Sequence, residues 1–289
     1  MTRPLNSGYY PTDDGHRLYW ERHGTPGREP MMVLHGGPGG RFNHRYLELV
    51  HLHDFDVIVF DQRGCGRSTS EGDHLHNNTS LSVLDIEALR EHFGFKRINL
   101  LGVSWGSWLA IQYQRRFSHA VLRVLLASVF VPSAVIVKAY DRDLCQWLAS
   151  VGPVSRATDP RQIFDELGHA DSDRQRQAAV HWLLTVLKPS GVGVCPTALA
   201  RCVDHSVLRA LRLELHFHLE GYFFTLADTR LDSQATVTVV QGLKDRHGIE
   251  SLRWLKQHLN VRSILVEAGH NALEPAIAEA MRRALTTGK

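Results

Sequence analysis

Short apolar segments alternate with helical patterns along most of this 289-residue chain, and this alternation restricts the possible folds more than any other feature. Segments 31–37, 57–64 and 97–104 are apolar runs that end in turns rich in glycine or polar residues, as buried strands do. Segments 82–93 and 105–117 follow two of these runs and have helical character. Such alternation predicts a mostly parallel sheet that is covered by helices on both faces.

The middle of the chain has a different pattern from its two ends. From about residue 132 to residue 232 the sequence shows helical patterns, several aromatic residues and no convincing strand. We therefore predict a core domain made of residues 1–131 and 233–289, with a helical cap domain, 132–232, inserted before the last two strands. The other predicted strands are 16–24, 121–129, 236–242 and 262–269, and the last two predicted helices are 251–259 and 274–285. Strand 16–24 follows an Asp-Gly turn and is predicted to be one arm of a hairpin.

Composition excludes several classes of protein. The chain has 33 Lys and Arg residues against 30 Asp and Glu residues, and a net charge of +3 does not indicate a nucleic-acid partner. Four cysteines without a Cys-x-x-Cys pair give neither a disulfide framework nor a zinc knuckle. The N-terminal segment lacks an apolar leader, and the most apolar stretch, 124–137, is shorter than the roughly 20 residues that span a bilayer. We expect a cytoplasmic protein without a membrane partner.

The motif Gly102-Val103-Ser104-Trp105-Gly106 is the sharpest chemical signal in the sequence. A Gly-x-Ser-x-Gly motif alone is weak evidence. Here, however, a predicted buried strand ends directly before it and a predicted helix begins directly after it, and in this context the serine side chain is exposed above the sheet. The pattern predicts that Ser104 is a nucleophile.

A nucleophilic serine requires a base, and the base requires an acid that orients it. His270 directly follows the predicted strand 262–269, and Asp245 follows the predicted strand before it, so both are expected at the same sheet edge as the serine. Asp232 and Glu250 are rival candidates for the acid, and His247 is a weaker rival for the base.

The glycine-rich segment 35–40, His-Gly-Gly-Pro-Gly-Gly, predicts an oxyanion hole. We expect the backbone N–H groups of Gly37 and Trp105 to stabilise a tetrahedral intermediate. A phosphate site is the competing interpretation, but no Gly-Lys-Ser/Thr follows, and Phe42 interrupts the dinucleotide-binding pattern. We predict no metal site, because the two His-x-His pairs at 51–53 and 74–76 have no evident third ligand.

Together, these motifs resemble the proline iminopeptidase branch of the α/β-hydrolases. The matching segments are HGGPGG at 35–40, DQRGCGRS at 61–68, DIEALREHFG at 85–94, GVSWGSWLA at 102–110 and AGHNALEP at 268–275. The resemblance implies an α/β-hydrolase fold with an eight-stranded sheet and a helical cap over the site. It also implies cleavage of an N-terminal residue, often proline, from peptides and amides without a metal or cofactor.

The resemblance further implies a carboxylate in the cap that receives the free amino group of the substrate, within a Glu-Asn-His-Tyr-Phe motif. The only similar stretch here is Glu-Leu-His-Phe-His at 214–218, so Glu214 is the candidate substrate-binding residue. An ammonium group that enters a dry pocket needs such a partner. The expected substrate is therefore a small molecule or short peptide with a free amine.

Two departures from the family pattern leave the substrate open. Arg246-His247-Gly248 stands where the family has a short run ending in proline, and the stretch 224–236 is shorter than in the family. The alternatives are acyl transfer, intramolecular cyclisation to a lactam or lactone, and removal of an aminoacyl protecting group in a specialised pathway. An inactive hydrolase fold that acts as a binding protein is an alternative of another class.

Overall fold

The sheet has eight strands among the residues that the structure, a computed structural model, describes, namely 3–68, 74, 76–152, 154–188, 194–225 and 237–286. Its spatial order is β1-β2-β4-β3-β5-β6-β7-β8. The pairs β1–β2 and β2–β4 are antiparallel, and all other pairs are parallel, which confirms the predicted mostly parallel sheet. The strands are β1 (Asn6–Pro11), β2 (Arg17–Gly24), β3 (Glu29–Leu34), β4 (Phe55–Phe60), β5 (Ile98–Val103), β6 (Val121–Ala127), β7 (Val237–Gly242) and β8 (Val261–Val266).

Helices cover both faces of this sheet. One apolar cluster joins alternate strand residues to α1 (Thr79–His92), α2 (Trp105–Arg116) and α8 (Arg246–His258). A second cluster joins the intervening strand residues to α9 (Pro275–Thr286) on the opposite face. Every residue of β4 and β5 is buried, because strands in the centre of a parallel sheet have no solvent-facing side. This double coverage explains why these strands are nearly continuous apolar runs.

Between β6 and β7 the described residues form five α-helices, which we call the inserted helices: α3 (Ala134–Val151), α4 (Pro160–Leu167), α5 (Ser172–Leu187), α6 (Pro196–Cys202) and α7 (His205–Leu219). They share an apolar cluster of their own, which includes Leu144, Ile163, Trp182 and Leu215. Among the described residues of this segment there is no strand, as the sequence predicts. None of the helices in the described ranges combines the length and the apolar character needed to cross a bilayer.

Several predicted boundaries are wrong by a few residues. The predicted strands 31–37 and 57–64 extend too far, since β3 ends at Leu34 and β4 at Phe60 and the glycine-rich residues beyond them form turns. The predicted helix 251–259 begins too late: α8 starts at Arg246, because the Asp245 side chain accepts a hydrogen bond from the Gly248 N–H and caps the helix. The predicted hairpin is present, with β1 paired to β2.

Candidate active site

Ser104 lies at the turn between β5 and α2, with a φ of 51° and a ψ of −119°. This is an unusual backbone conformation for a residue with a side chain. The turn is tight because Gly106, in the first turn of α2, packs against the end of β3. A Cβ atom at Gly106 would lie 2.2 Å from the carbonyl oxygen of Leu34. The glycine therefore lets the helix approach the sheet closely, and the turn presents the serine at the carboxyl edge of the strands.

Three of the predicted site residues, Ser104, His270 and Asp245, are joined by hydrogen bonds in a row that we call the Ser-His-Asp line. The Oγ of Ser104 is 2.9 Å from the Nε2 of His270, and the Nδ1 of His270 is 2.6 Å from the Oδ2 of Asp245. The side chain of His270 is half exposed, whereas that of Asp245 is buried. With Nδ1–H donating to the carboxylate, the lone pair on Nε2 faces the serine hydroxyl, which is the arrangement that proton removal from Ser104 requires.

The Asp245 carboxylate is held by neighbours on both sides. Its Oδ2 accepts a hydrogen bond of 2.8 Å from the amide of Gln241, and its Oδ1 accepts one of 3.0 Å from the Gly248 N–H. Burial works to raise the pKa of Asp245, but the hydrogen bond and charge of His270, together with these two donors, lower it below its ordinary value. The carboxylate is therefore ionised when it orients the imidazole.

Gln241 is a site residue that the sequence reasoning missed. Its Oε1 accepts a hydrogen bond of 2.9 Å from the backbone N–H of Val129, so the amide links β7 to the loop after β6 while it also donates to Asp245. The available signal was a glutamine near the end of the strand segment 236–242, four residues before the acid.

Neither of the two rival candidates that the structure describes belongs to the hydrogen-bonded line of Ser104, His270 and Asp245. Glu250 is on α8, where one of its oxygens is 3.6 Å from the Nε of Arg246. His247 is 2.9 Å from the Oδ2 of Asp143 on α3, so it does not take the place of His270. Asp232 lies outside the described residues, as does most of the shortened stretch 224–236.

The predicted oxyanion donors lie next to Ser104. Gly37 lines a cavity with Ser104, and Trp105 is the first residue of α2, where the backbone N–H has no acceptor within the helix. The loop that carries Gly37 is fixed by His35, whose Nε2 accepts from the backbone N–H of Gln62 at 3.0 Å while its Nδ1 lies 2.7 Å from the oxygen of Gly36. Burial lowers the pKa of His35, so the ring is neutral and can accept this bond.

Glu214 lines the same cavity, which measures about 230 Å³. It lies on α7, and the backbone of α7 packs closely on the glycine-rich loop: a Cβ at Gly39 would lie 2.1 Å from the oxygen of Ala210. The indole N–H of Trp182 donates to the Glu214 carboxyl group at 3.3 Å. Burial raises the pKa of Glu214 to about 7, although the hydrogen bond from Trp182 and the charge of His218, which lies 2.8 Å from Asp141, work to lower it.

Aromatic side chains form much of the remaining wall. Trp147 and Tyr222 line the cavity. Phe130 and Tyr140 also line it, although no sequence pattern indicates that role. They come from the loop after β6 and from α3, and only the packing of the inserted helices on the sheet brings them to the serine.

One group of three described residues has ligand atoms close enough to hold a metal ion: Glu21, His23 and His44. Both histidines place Nε2 within 2.9 Å of the Oε2 of Glu21, and Arg67 places a guanidinium nitrogen 2.5 Å from its Oε1. Burial works to raise the pKa of Glu21, but these hydrogen bonds lower it to about 2. Because a guanidinium already neutralises the carboxylate, we interpret the group as a buried hydrogen-bond and ion-pair network.

The fold and the Ser-His-Asp line define an enzyme of the serine hydrolase class with the α/β-hydrolase fold. A family model described as alpha/beta hydrolase fold matches residues 29–150. The proline iminopeptidase of Xanthomonas citri is 30% identical over 307 residues, covering 97% of this chain and 96% of that protein. That of Neisseria gonorrhoeae is 28% identical, covering 99% and 96%. The chain thus belongs to the proline iminopeptidase family, as a divergent member.

Solved structures agree on the fold. A proline iminopeptidase-related protein from Thermus thermophilus superposes with a TM-score of 0.62 at 24% identity, covering 99% of this chain and 98% of that one. A 2-hydroxy-6-oxo-6-phenylhexa-2,4-dienoate hydrolase from a Rhodococcus species gives a TM-score of 0.60 at 18% identity, covering 98% and 95%. These similarities confirm the α/β-hydrolase architecture predicted from the sequence.

Proposed function

We propose that this enzyme is an aminopeptidase that removes an N-terminal aminoacyl group from an amide or ester through a covalent acyl-enzyme. The observation that carries the proposal is one cavity lined by both Ser104 and an acidic side chain, Glu214, with Ser104 hydrogen-bonded to His270. The relatives from Xanthomonas citri and Neisseria gonorrhoeae are named proline iminopeptidases. In the proposed enzyme the inserted helices act as a cap domain, 132–232, over a core of 1–131 and 233–289.

The first half of the mechanism forms the acyl-enzyme. His270 Nε2 takes the hydroxyl proton while Ser104 Oγ bonds to the substrate carbonyl carbon, and the carbonyl π electrons move to the oxygen. The backbone N–H groups of Gly37 and Trp105 stabilise that oxyanion. When the tetrahedral intermediate collapses, the C–N bond breaks and the leaving nitrogen takes the proton from His270. Asp245 stabilises the imidazolium throughout.

The second half returns the enzyme to its starting state. Water attacks the acyl carbon and gives a proton to His270, the bond from carbon to Ser104 Oγ breaks, and the serine recovers its proton. The net reaction is hydrolysis of one amide into an acid and an amine. No step requires a metal or cofactor, since the serine supplies the nucleophile and the imidazole moves each proton.

Glu214 accounts for the preference for a free amine. An ammonium group next to the scissile carbonyl loses its water when it enters the cavity, and a carboxylate partner offsets that cost. The aromatic side chains of Tyr140, Trp147 and Tyr222, which line the same cavity, also favour a cation. Removing one partner of such a buried pair costs about 3–5 kcal/mol, which corresponds to a loss of roughly 10²–10⁴ in kcat/KM.

The experiment compares a free-amine substrate with its N-acetylated twin, using aminoacyl-naphthylamides. Wild type is expected to prefer the free amine, and Glu214→Gln is expected to lose that preference while it still hydrolyses both. Glu250→Gln is the matched control. Glu250 is also an acid, but it does not line this cavity and is not hydrogen-bonded to Ser104, His270 or Asp245. A wild-type preference for the acetylated twin, or an unchanged Glu214→Gln variant, refutes the role of Glu214.

A further inference from the structure

Two cavities meet at His270. The smaller one, of about 230 Å³, is the cavity already described, with Gly37, Ser104 and Glu214 in its wall. The larger one, of about 1020 Å³, is lined by residues that follow β7 and β8, including Arg246, Asn271 and Glu274. Among the described residues, both cavities are lined by Trp147, Val186, Asp245, His247 and His270.

The positions of the reacting groups assign the two halves of a substrate to these cavities. This assignment rests on the proposed function. The oxyanion donor Gly37 and the carboxyl group of Glu214 line only the smaller cavity, so the acyl half binds there. The leaving nitrogen must receive its proton from His270, which also lines the larger cavity, so the leaving group extends into that one. The smaller cavity lies below the roughly 300–1,000 Å³ typical of pockets for drug-sized ligands, which indicates a small acyl group.

His247 stands between the cavities and is held there from two sides. Its Nε2 is 2.9 Å from the Oδ2 of Asp143, which lines the larger cavity. Its ring lies edge-on to Tyr140, with centroids 5.3 Å apart, and Tyr140 lines the smaller cavity. Both partners are on α3, whereas His247 is on α8, two residues after Asp245. These contacts therefore join α3, one of the inserted helices, to the start of α8, next to Asp245.

We propose that His247 is a specificity-determining residue that separates the acyl cavity from the leaving-group cavity and so limits the size of the acyl group. Two of the other shared residues, Asp245 and His270, belong to the Ser-His-Asp line, and Trp147 and Val186 lie on inserted helices. His247 is the remaining residue that lines both cavities. It lies on α8 and contacts the inserted helices from there.

Loss of the imidazole ring opens the smaller cavity toward the larger one. Bulky acyl groups then gain space that the wild-type cavity denies them, while small acyl groups lose contacts. A single methylene group in an apolar pocket already changes discrimination by about 10- to 200-fold. His247→Ala is therefore expected to raise the ratio of kcat/KM for a bulky acyl group over a small one by at least about tenfold.

The experiment measures that ratio in two substrate series that each keep one leaving group. The first compares phenylalanyl- with alanyl-naphthylamide, and the second compares p-nitrophenyl octanoate with p-nitrophenyl acetate, which carry no amine. His247→Phe keeps a ring of similar bulk and is expected to keep the wild-type ratio, whereas His247→Val is expected to follow His247→Ala. Glu250→Gln is the control that removes the 3.7 Å contact to the Nδ1 of His247 and leaves the ring in place.

The outcomes separate this inference from the proposed function. If the naphthylamides are not hydrolysed but the ester ratio rises in His247→Ala and His247→Val, the aminopeptidase proposal is wrong and the separating role of His247 stands. If wild type hydrolyses both series and neither small variant changes either ratio, the separating role is wrong. Equal losses for bulky and small acyl groups also overturn it, since a purely structural contact lowers both alike. Fluorophosphonate labelling of Ser104 verifies that each variant retains its active-site fold.

Discussion

Glu214→Gln is expected to make the protein more stable while it impairs recognition of the amine. Burial raises the pKa of Glu214 from its ordinary value of 4.5 to about 7. The folded state thus binds a proton more tightly at this group than the unfolded state does. Folding stability therefore falls as the pH rises through the window from 4.5 to about 7, and the full penalty applies above it. A neutral amide of the same shape does not incur that penalty.

The size of the effect follows from the shift in pKa. Each pKa unit corresponds to about 1.4 kcal/mol, so the rise to about 7 corresponds to roughly 3 kcal/mol. Glu214→Gln is expected to gain roughly this free energy of unfolding at pH 8 and to gain little at pH 5. Ligand-binding sites commonly sacrifice stability in this way, because a charge that awaits its partner is desolvated in advance.

Urea unfolding of both proteins at pH 5 and pH 8 measures this difference, and subtracting the two proteins cancels the contributions of the other titrating groups. Glu250→Gln is the control: it removes a carboxylate on α8 that pairs with Arg246, and it is expected to change stability by less than about 1 kcal/mol at either pH. If Glu214→Gln is no more stable than wild type at pH 8, or gains equally at both pH values, the interpretation of Glu214 as a strained buried carboxyl group is wrong.

Two further predictions concern the geometry around Ser104. Asp245→Asn is expected to lower kcat by about 10⁴, because an amide at this position favours the wrong tautomer of His270. Steady-state kinetics measures this loss. A similar loss in Glu250→Gln but not in Asp245→Asn would show that Glu250 is the acid. Gly106→Ala is expected to lower the free energy of unfolding by roughly 3 kcal/mol, because its Cβ would lie 2.2 Å from the Leu34 oxygen. Wild-type thermal stability in Gly106→Ala would show that the turn is less tight than described.

The sequence predicted well those parts of the molecule that local pattern determines. Apolar runs such as 97–104 corresponded to buried strands, and Ser104 and His270 could be placed because each follows a strand whose carboxyl end reaches the same sheet edge. The start of α8 at Arg246 was missed because the capping role of Asp245 depends on its side-chain conformation.

Features that depend on long-range packing were beyond the sequence patterns. The hydrogen bond from Gln241 to Asp245 is local, but that from Val129 to Gln241 joins residues 112 positions apart. Tyr140 and Phe130 line the cavity because α3 and the loop after β6 pack over the serine. The periodicity of the inserted helices does not predict which of their aromatic side chains pack toward the sheet and which pack in the apolar cluster of these helices.

The central claim, a covalent mechanism through Ser104, is tested most directly by identifying the residue that reacts. The enzyme is treated with a fluorophosphonate, digested, and analysed by mass spectrometry, and Ser104→Ala is assayed beside it with circular dichroism to show that it is folded. We predict a single adduct on the peptide that contains Ser104 and a loss of several orders of magnitude in kcat for the variant. An adduct at another residue, or near-normal turnover by folded Ser104→Ala, would contradict the covalent mechanism.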